Sequence, residues 1–195
     1  MICMYMMVED KYIARIPPDM LGEDYDKAVE EVTKRSLEGK LVDVVNEKTG
    51  VNEGKYLVIS IISTKAVGEG SIVHGDGGVY QEVKYSALVF YPEMQEIVDG
   101  EVVSVQKFGA FVKFSSFEGL LHISQIMDDR IDVDLENKRF IGKDTKRDLK
   151  VGDKVRVRIV ALNLASSSVE DSKIGFTMKQ VGLGKLEWLE KEAQA

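Results

Sequence analysis

The chain has 195 residues, 44% hydrophobic and 30% charged, with 33 acidic against 26 basic side chains and a formal charge of −7. This is the composition of a folded globular protein of one domain or two small ones, and no apolar run approaches the roughly 18 residues that span a bilayer. A single cysteine, Cys3, excludes an internal disulfide framework and a thiolate metal cage, and with no basic segment leading into an apolar one at the start, a cytoplasmic protein is expected.

Tyr5 to Ile16 mixes apolar and charged residues and stops at Pro17-Pro18, which predicts a strand ended by a turn. A helix is predicted from near Glu23 to Glu38, because Tyr25, Ala28, Val29 and Val32 form one apolar stripe. Glu23, Asp24 and Asp26 suit its first turn, and Gly39 its end. Lys40 to Val45 and Tyr56 to Ser63 are rich in Val and Ile and read as strands, with Asn46 to Gly54 as the hairpin loop between them. A glycine-dense stretch, Gly68 to Gly78, then precedes a strand in which Val83, Tyr85, Ala87 and Val89 share one face. Tyr91-Pro92-Glu93 is the expected boundary, giving an α+β domain over residues 1–92 and a second domain over 93–195.

The second half carries short strands with turn signals between them, the pattern of a small barrel or sandwich. Glu101 to Val105, Phe108 to Phe114, Gly119 to Ile123, Lys154 to Leu162 and Lys173 to Met178 are five such runs, and Gly182 to Glu192 a terminal helix. In the fourth, Val155, Val157, Ile159 and Ala161 share one face and Lys154, Arg156 and Arg158 the other, a half-buried strand with cations outward.

Net charge alone argues against a protein that grips nucleic acid. The charge is uneven, however. Residues 1–95 carry ten basic and sixteen acidic side chains, whereas Lys138 to Arg158 carries nine basic and three acidic. Such a segment is either a solvated loop or a local attractor for phosphates.

Enzyme signatures fail one by one. Gly75-Asp76-Gly77-Gly78-Val79-Tyr80 starts like a dinucleotide fingerprint but has Tyr80 where the third glycine belongs, and a strand follows it. Asp128, Asp129, Asp132, Asp134 and Glu136 lack the central glycine and spacing of a calcium loop, which favours a solvated acidic loop. His74 and His122 stand far apart without cysteine partners, and Ser124 has no orienting carboxylate at a diagnostic spacing. No catalysis, metal or cofactor is expected. Phe108 and Phe111, flanking Gly109, are either core residues or a face on which unpaired bases stack.

Five ordered motifs bring these runs together: Gly100-Glu101-Val102, Phe108-Gly109-Ala110-Phe111-Val112, Gly119-Leu120-Leu121-His122-Ile123-Ser124, Val151-Gly152-Asp153-Lys154-Val155 and Lys173-Ile174-Gly175-Phe176-Thr177-Met178. Residues 98–180 resemble the S-one RNA-binding domain, a five-stranded OB-fold barrel. The resemblance implies that Phe108, Phe111 and His122 form an RNA platform, with Lys154, Arg156, Arg158 and Lys173 as its cations. Asn163 and Lys173 stand where that family often has an acid and an arginine, so a bidentate arginine contact is not implied. An inserted loop, residues 125–150, separates the third and fourth strands.

Further stretches extend the resemblance over nearly the whole chain: Pro17-Pro18, Gly68-Glu69-Gly70, His74-Gly75-Asp76-Gly77, Pro92-Glu93-Met94, Ser124-Gln125-Ile126-Met127-Asp128-Asp129, Ile141-Gly142-Lys143 and Leu183-Gly184-Lys185-Leu186-Glu187-Trp188. Together they are similar to the E-prime stalk family of archaeal DNA-directed RNA polymerases, from about Met4 onward. The resemblance implies a non-catalytic stalk subunit whose first half is a truncated RNP-like domain. It implies docking on the core RNA polymerase through Gly68, Glu69, Gly70, Gly75, Asp76 and Gly77, pairing with the polymerase's small F subunit as a heterodimer, and binding of nascent single-stranded RNA. An RNA-binding accessory protein of the exosome or of translation is the alternative.

Overall fold

The computed structural model of the chain describes residues 4–22, 24–45, 52–165 and 168–193. Met1 to Cys3, Glu23 at the expected helix start, and most of the Asn46 to Gly54 turn lie outside the described residues. The backbone divides into two compact units, Met1–Pro92 and Glu93–Ala195.

In the first unit, β1 (Tyr5–Ile16), α1 (Tyr25–Leu37), β2 (Leu41–Val45), β3 (Asn52–Ile72) and β4 (Val79–Phe90) follow in chain order. The strands pair antiparallel in the order β1-β4-β3-β2. Helix α1 starts where the Asp24 carboxylate accepts the Lys27 backbone N–H at 3.3 Å, an N-cap that satisfies one of the free donors of the first turn. Its apolar stripe packs on the sheet: Ala28 and Val29 against Ala14, Ile16 and Val83, and Leu37 against Val58, Ile61, Tyr85 and Ala87. Just past the helix, Glu38 turns its carboxylate onto β3, where Oε1 accepts the Ile61 N–H at 2.8 Å and the Ser60 hydroxyl at 3.2 Å. These residues sit at two breaks in the β3–β4 register, Val58/Ser60 and Ile61/Ser63. A bulge disrupts the ladder, and the Glu38 side chain supplies an acceptor there.

Strand β3 is far longer than the predicted Tyr56 to Ser63. It runs through Gly68 and Gly70 to Ile72, so the expected glycine-rich loop shrinks to the turn Val73 to Gly78. A third register break, Val67/Ser71, lets the strand continue past those glycines while staying paired to β4.

The second unit contains β5 (Ile97–Gln106), β6 (Gly109–Phe114), β7 (Phe117–His122), β8 (Ile131–Asp134), β9 (Arg139–Gly142), β10 (Asp148–Lys150), β11 (Lys154–Asn163), β12 (Lys173–Thr177), β13 (Gly184–Lys185) and α2 (Leu186–Ala193). Strands β5, β6, β7, β12 and β11 close into a five-stranded barrel, with β7–β12 parallel and every other barrel pair antiparallel. Buried Val102, Val112, Leu121, Val155, Val157, Ile159 and Phe176 lie along these strands, and Phe114 meets the rings of Phe117 and Phe176 at 5.9 and 5.4 Å. Two glycines permit the close approach of strands that such a small barrel needs. A Cβ on Gly109 would sit 2.4 Å from the Leu121 carbonyl oxygen, and one on Gly119 would sit 2.3 Å from the Phe176 ring.

The insertion is not a loop. Residues 131–150 form a three-stranded antiparallel meander, β8-β9-β10, with Phe140 and Leu149 fully buried. Two of its acidic residues, Asp129 and Asp134, are structural. Asp129 accepts from the Thr145 N–H at 3.0 Å and the Thr145 hydroxyl at 2.7 Å, and Asp134 from the Asn137 side-chain amide at 2.7 Å and Arg139 Nε at 3.1 Å. The terminal helix begins at Leu186 rather than Gly182, because Gly184 and Lys185 pair with β11 instead. Lys185 is nearly buried, with Nζ 3.0 Å from Asp153 and 3.1 Å from Glu187. Desolvation lowers its pKa, but Asp153, Glu187 and the more distant Asp148 more than offset this, so a paired ammonium ties β13 to the start of β11 and to α2.

Candidate nucleic-acid interface

On the barrel surface, strands β6, β7 and β12 and the far end of β11 frame a groove of about 840 Å³. Its floor is apolar, made by Leu120, Val160, Ile174 and Phe176, and its rim is polar. Phe111 projects from β6 onto this groove and is half-buried. Phe108, in the turn before β6, is 49% exposed and meets Phe111 edge to face, with centroids 6.2 Å apart at 87°. The turn is held by the Ile123 N–H, which donates to the Phe108 carbonyl at 2.9 Å. Neither ring is wholly in the core, so both keep a face or edge on the surface.

His122 ends β7 and lines the same groove. Its Nδ1 accepts the Ser124 backbone N–H at 3.2 Å and lies 2.7 Å from the Ser124 hydroxyl. With Nδ1 engaged as an acceptor, the neutral imidazole carries its proton on Nε2, a donor suited to a phosphate or carbonyl oxygen. Lys173 opens β12, exposed and on the groove, and pairs in register with Asn163 at the end of β11. An apolar floor, an aromatic side wall and convergent donors are the parts a single-stranded nucleic acid needs: a stacking surface and partners for its phosphates.

The structure separates the other predicted cations from this groove. Lys154, Arg156 and Arg158 do not line it. Arg156 is spent on Asp99 of β5, with Nε and Nη2 at 2.7 and 3.0 Å from the two carboxylate oxygens, and that pairing raises its pKa. Arg158 is half-buried, and its Nε is fully buried with no hydrogen-bond partner among the described residues. Lys154 is exposed and stands across from Glu101. The outward cationic face expected of β11 therefore reduces to Lys154. Reading the sequence also missed groove residues: Gln125 and Lys179 both line it. Their only sequence signal is position, one just after the Leu-His-Ile-Ser motif and the other just after the last barrel strand.

In the first unit, Asp76 in the turn of the β3–β4 hairpin has its partners within the unit. The Asp76 carboxylate accepts from Arg15 Nε at 2.8 Å and Nη2 at 2.5 Å, from the Tyr80 hydroxyl at 2.7 Å and from the Gly78 N–H at 3.1 Å. These donors hold it far below the usual carboxylate range. A Cβ on Gly70 would collide with Val79 at 2.5 Å, and one on Gly77 would press on Pro18 at 3.3 Å. Gly75 has φ +87° with open space around it, a turn conformation that favours glycine. Gly68 and Glu69 lie on the β3 arm. The glycines thus follow first from internal packing and turn geometry.

An antiparallel sheet with one helix, followed by a five-stranded barrel with an aromatic groove, defines a chain of two compact units, the second of the OB-like barrel class. Family comparison divides the chain in the same order. Residues 11–77 match the SHS2 domain found in the N terminus of Rpb7p/Rpc25p/MJ0397, and residues 91–170 match the S1 RNA binding domain. The DNA-directed RNA polymerase subunit Rpo7 of Sulfolobus acidocaldarius is 34% identical over 189 residues, covering 97% of each chain. That of Saccharolobus solfataricus is 35% identical over 188 residues, covering 95% of this chain and 97% of its own. A polyribonucleotide nucleotidyltransferase of Orientia tsutsugamushi is 37% identical over 93 residues, 45% of this chain but 11% of that one. The chain belongs to the DNA-directed RNA polymerase subunit Rpo7 family, whose members are named as subunits of the polymerase. The reading as an accessory protein of the exosome or of translation is not favoured, because the likeness that spans the whole chain is to Rpo7 subunits, while that to the polyribonucleotide nucleotidyltransferase covers 11% of its length.

Proposed function

We propose that this chain is a non-catalytic stalk subunit of an archaeal RNA polymerase that guides nascent single-stranded RNA across the barrel groove. The observation that carries the reading is the convergence of Phe111, His122 and Lys173 on one apolar-floored groove, with Phe108 against Phe111. Phe108 and Phe111 offer π-faces to unpaired bases, which suits a transcript of any sequence. His122 and Lys173 supply donors for its phosphates or base edges. Lys154 adds long-range attraction, while Arg156 and Arg158 serve mainly the barrel wall.

In the same reading, the β3–β4 hairpin docks on the polymerase core. Gly68, Glu69 and Gly70 form its arm, and Gly75, Asp76 and Gly77 its turn. Exposed Ile72 and Val73 at the turn offer the apolar contact. The polymerase's small F subunit is the expected partner in a heterodimer, and the complex works in the cytoplasm; no described helix is long and apolar enough to cross a membrane. Co-expression with that partner and purification with core polymerase test this reading. Recovery of a stoichiometric heterodimer that joins the core is expected, and isolation of the chain without either partner overturns it.

A further inference from the structure

The groove has one cation that is occupied by another part of the chain. Lys179 follows β12 directly, and its position is fixed by a short network. The Met178 N–H donates to the Gln125 carbonyl at 2.8 Å, the Thr177 hydroxyl donates to Gln125 Oε1 at 2.7 Å, and the Lys179 N–H donates to Thr177 Oγ1 at 3.3 Å. The segment after β12 is thereby fastened to the turn that follows His122, and Lys179 comes to line the groove. Its ammonium lies 2.6 Å from Asp128 Oδ1.

The two neighbouring acids differ. Asp129 is saturated by the amides and hydroxyl of the Asp144-Thr145 turn. Asp128 is 78% exposed, and among the described residues Lys179 is its one partner. A solvent-exposed pair of this kind is weakly held and readily exchanged. Lys179 is a flexible point charge that pairs with a phosphate oxygen as easily as with a carboxylate oxygen. While Asp128 is in place, its carboxylate offsets the Lys179 charge and repels a phosphate.

We propose that Lys179 is a phosphate-binding residue of the groove, held by Asp128 until an RNA phosphate takes the carboxylate's place. Asp128 then sets the affinity by competing for the same ammonium, which keeps the transcript's hold on the groove loose. The proposal rests on the reading of the groove as an RNA site and adds to it a residue and a competitor.

The test is fluorescence-anisotropy titration of the full chain with a short oligouridylate over a series of KCl concentrations. Lys179→Met is expected to weaken binding and to reduce the salt slope by roughly 0.7, one phosphate contact on a single strand, with Lys179→Arg restoring the slope. Asp128→Asn is expected to tighten binding by up to about fivefold at low salt, and that gain should vanish in the double variant Asp128→Asn, Lys179→Met. Thermal melts identify any variant with a damaged barrel; Lys179→Gln, of similar length and uncharged, then replaces Lys179→Met. Binding that Phe111→Ala weakens but Lys179→Met leaves unchanged in affinity and slope overturns the proposal while sparing the groove. Binding indifferent to Phe111→Ala removes the groove reading and this inference with it.

Discussion

Phe108 and Phe111 are separated by two residues in sequence and by different duties to the fold. Phe108 sits half in solvent in a turn, so Phe108→Ala leaves the barrel close to its original stability. Replacing both rings should weaken binding of single-stranded RNA by roughly 1–3 kcal/mol for each base that loses its stack, measured by anisotropy on protein with an unchanged melting curve. Unchanged affinity would return both rings to a purely structural role. The cations divide in the same way. Removing Arg156 breaks the bidentate pair with Asp99 and should shift stability more than salt slope, whereas removing Lys173 should shift the slope. The alternation along β11 told that these side chains point outward. It could not tell that Asp99 stands opposite Arg156, because that register follows from how the barrel closes.

Asp129 shows how an apparent cation-binding cluster can be a structural turn. Hydrogen bonds from Thr145, first its backbone N–H and then its hydroxyl, lower its pKa from 3.8 to about 2. A carboxyl with a folded pKa below its unfolded value contributes stability that is complete above the unfolded value and fades as pH falls toward the folded one. Asp129→Asn should therefore flatten the acid limb of the stability curve between about pH 4 and pH 2. Thermal melts across that range check this; an unaltered acid limb would mean that the turn is held by other groups.

At the scale of elements, barrel strands announce themselves by period-two alternation, since each has one face in the core and one in water. The meander β8-β9-β10 was not legible because its strands have only four, four and three residues and are flanked by charged turns. The length of β3 was hidden for a different reason. Register breaks at Val58/Ser60, Ile61/Ser63 and Val67/Ser71 interrupt the alternation that a straight strand displays. Closure of the barrel depends on Gly119, which leaves room for the Phe176 ring. Gly119→Ala forces that ring to move, and overpacking of this kind costs about 1–3 kcal/mol. Phe176→Ala leaves a cavity instead, at about 3–5 kcal/mol. Urea denaturation of each variant measures both. The double variant should be less destabilised than the sum, because the clash with the ring is gone, although the added methyl still meets the Ile174 carbonyl oxygen at 2.8 Å.

For the whole molecule, the charge of −7 is a poor guide to what the surface attracts. Most of the acidic excess belongs to the first half, and in the second half cations such as Arg139, Arg156 and Lys185 are already neutralised by carboxylates of the same unit. What remains at the groove is a small number of donors, with one carboxylate, Glu118, beside them, which suits modest, salt-sensitive binding of a strand held elsewhere by the polymerase. The central claim is that the transcript passes over this groove. It is tested most directly by placing a photo-crosslinking amino acid at Phe111, and separately at Lys154, in polymerase reconstituted with this protein and stalled during elongation. Crosslinks to nascent RNA from position 111 that exceed those from position 154 are the predicted result. Crosslinks absent at position 111, or equal at the two positions, would contradict it.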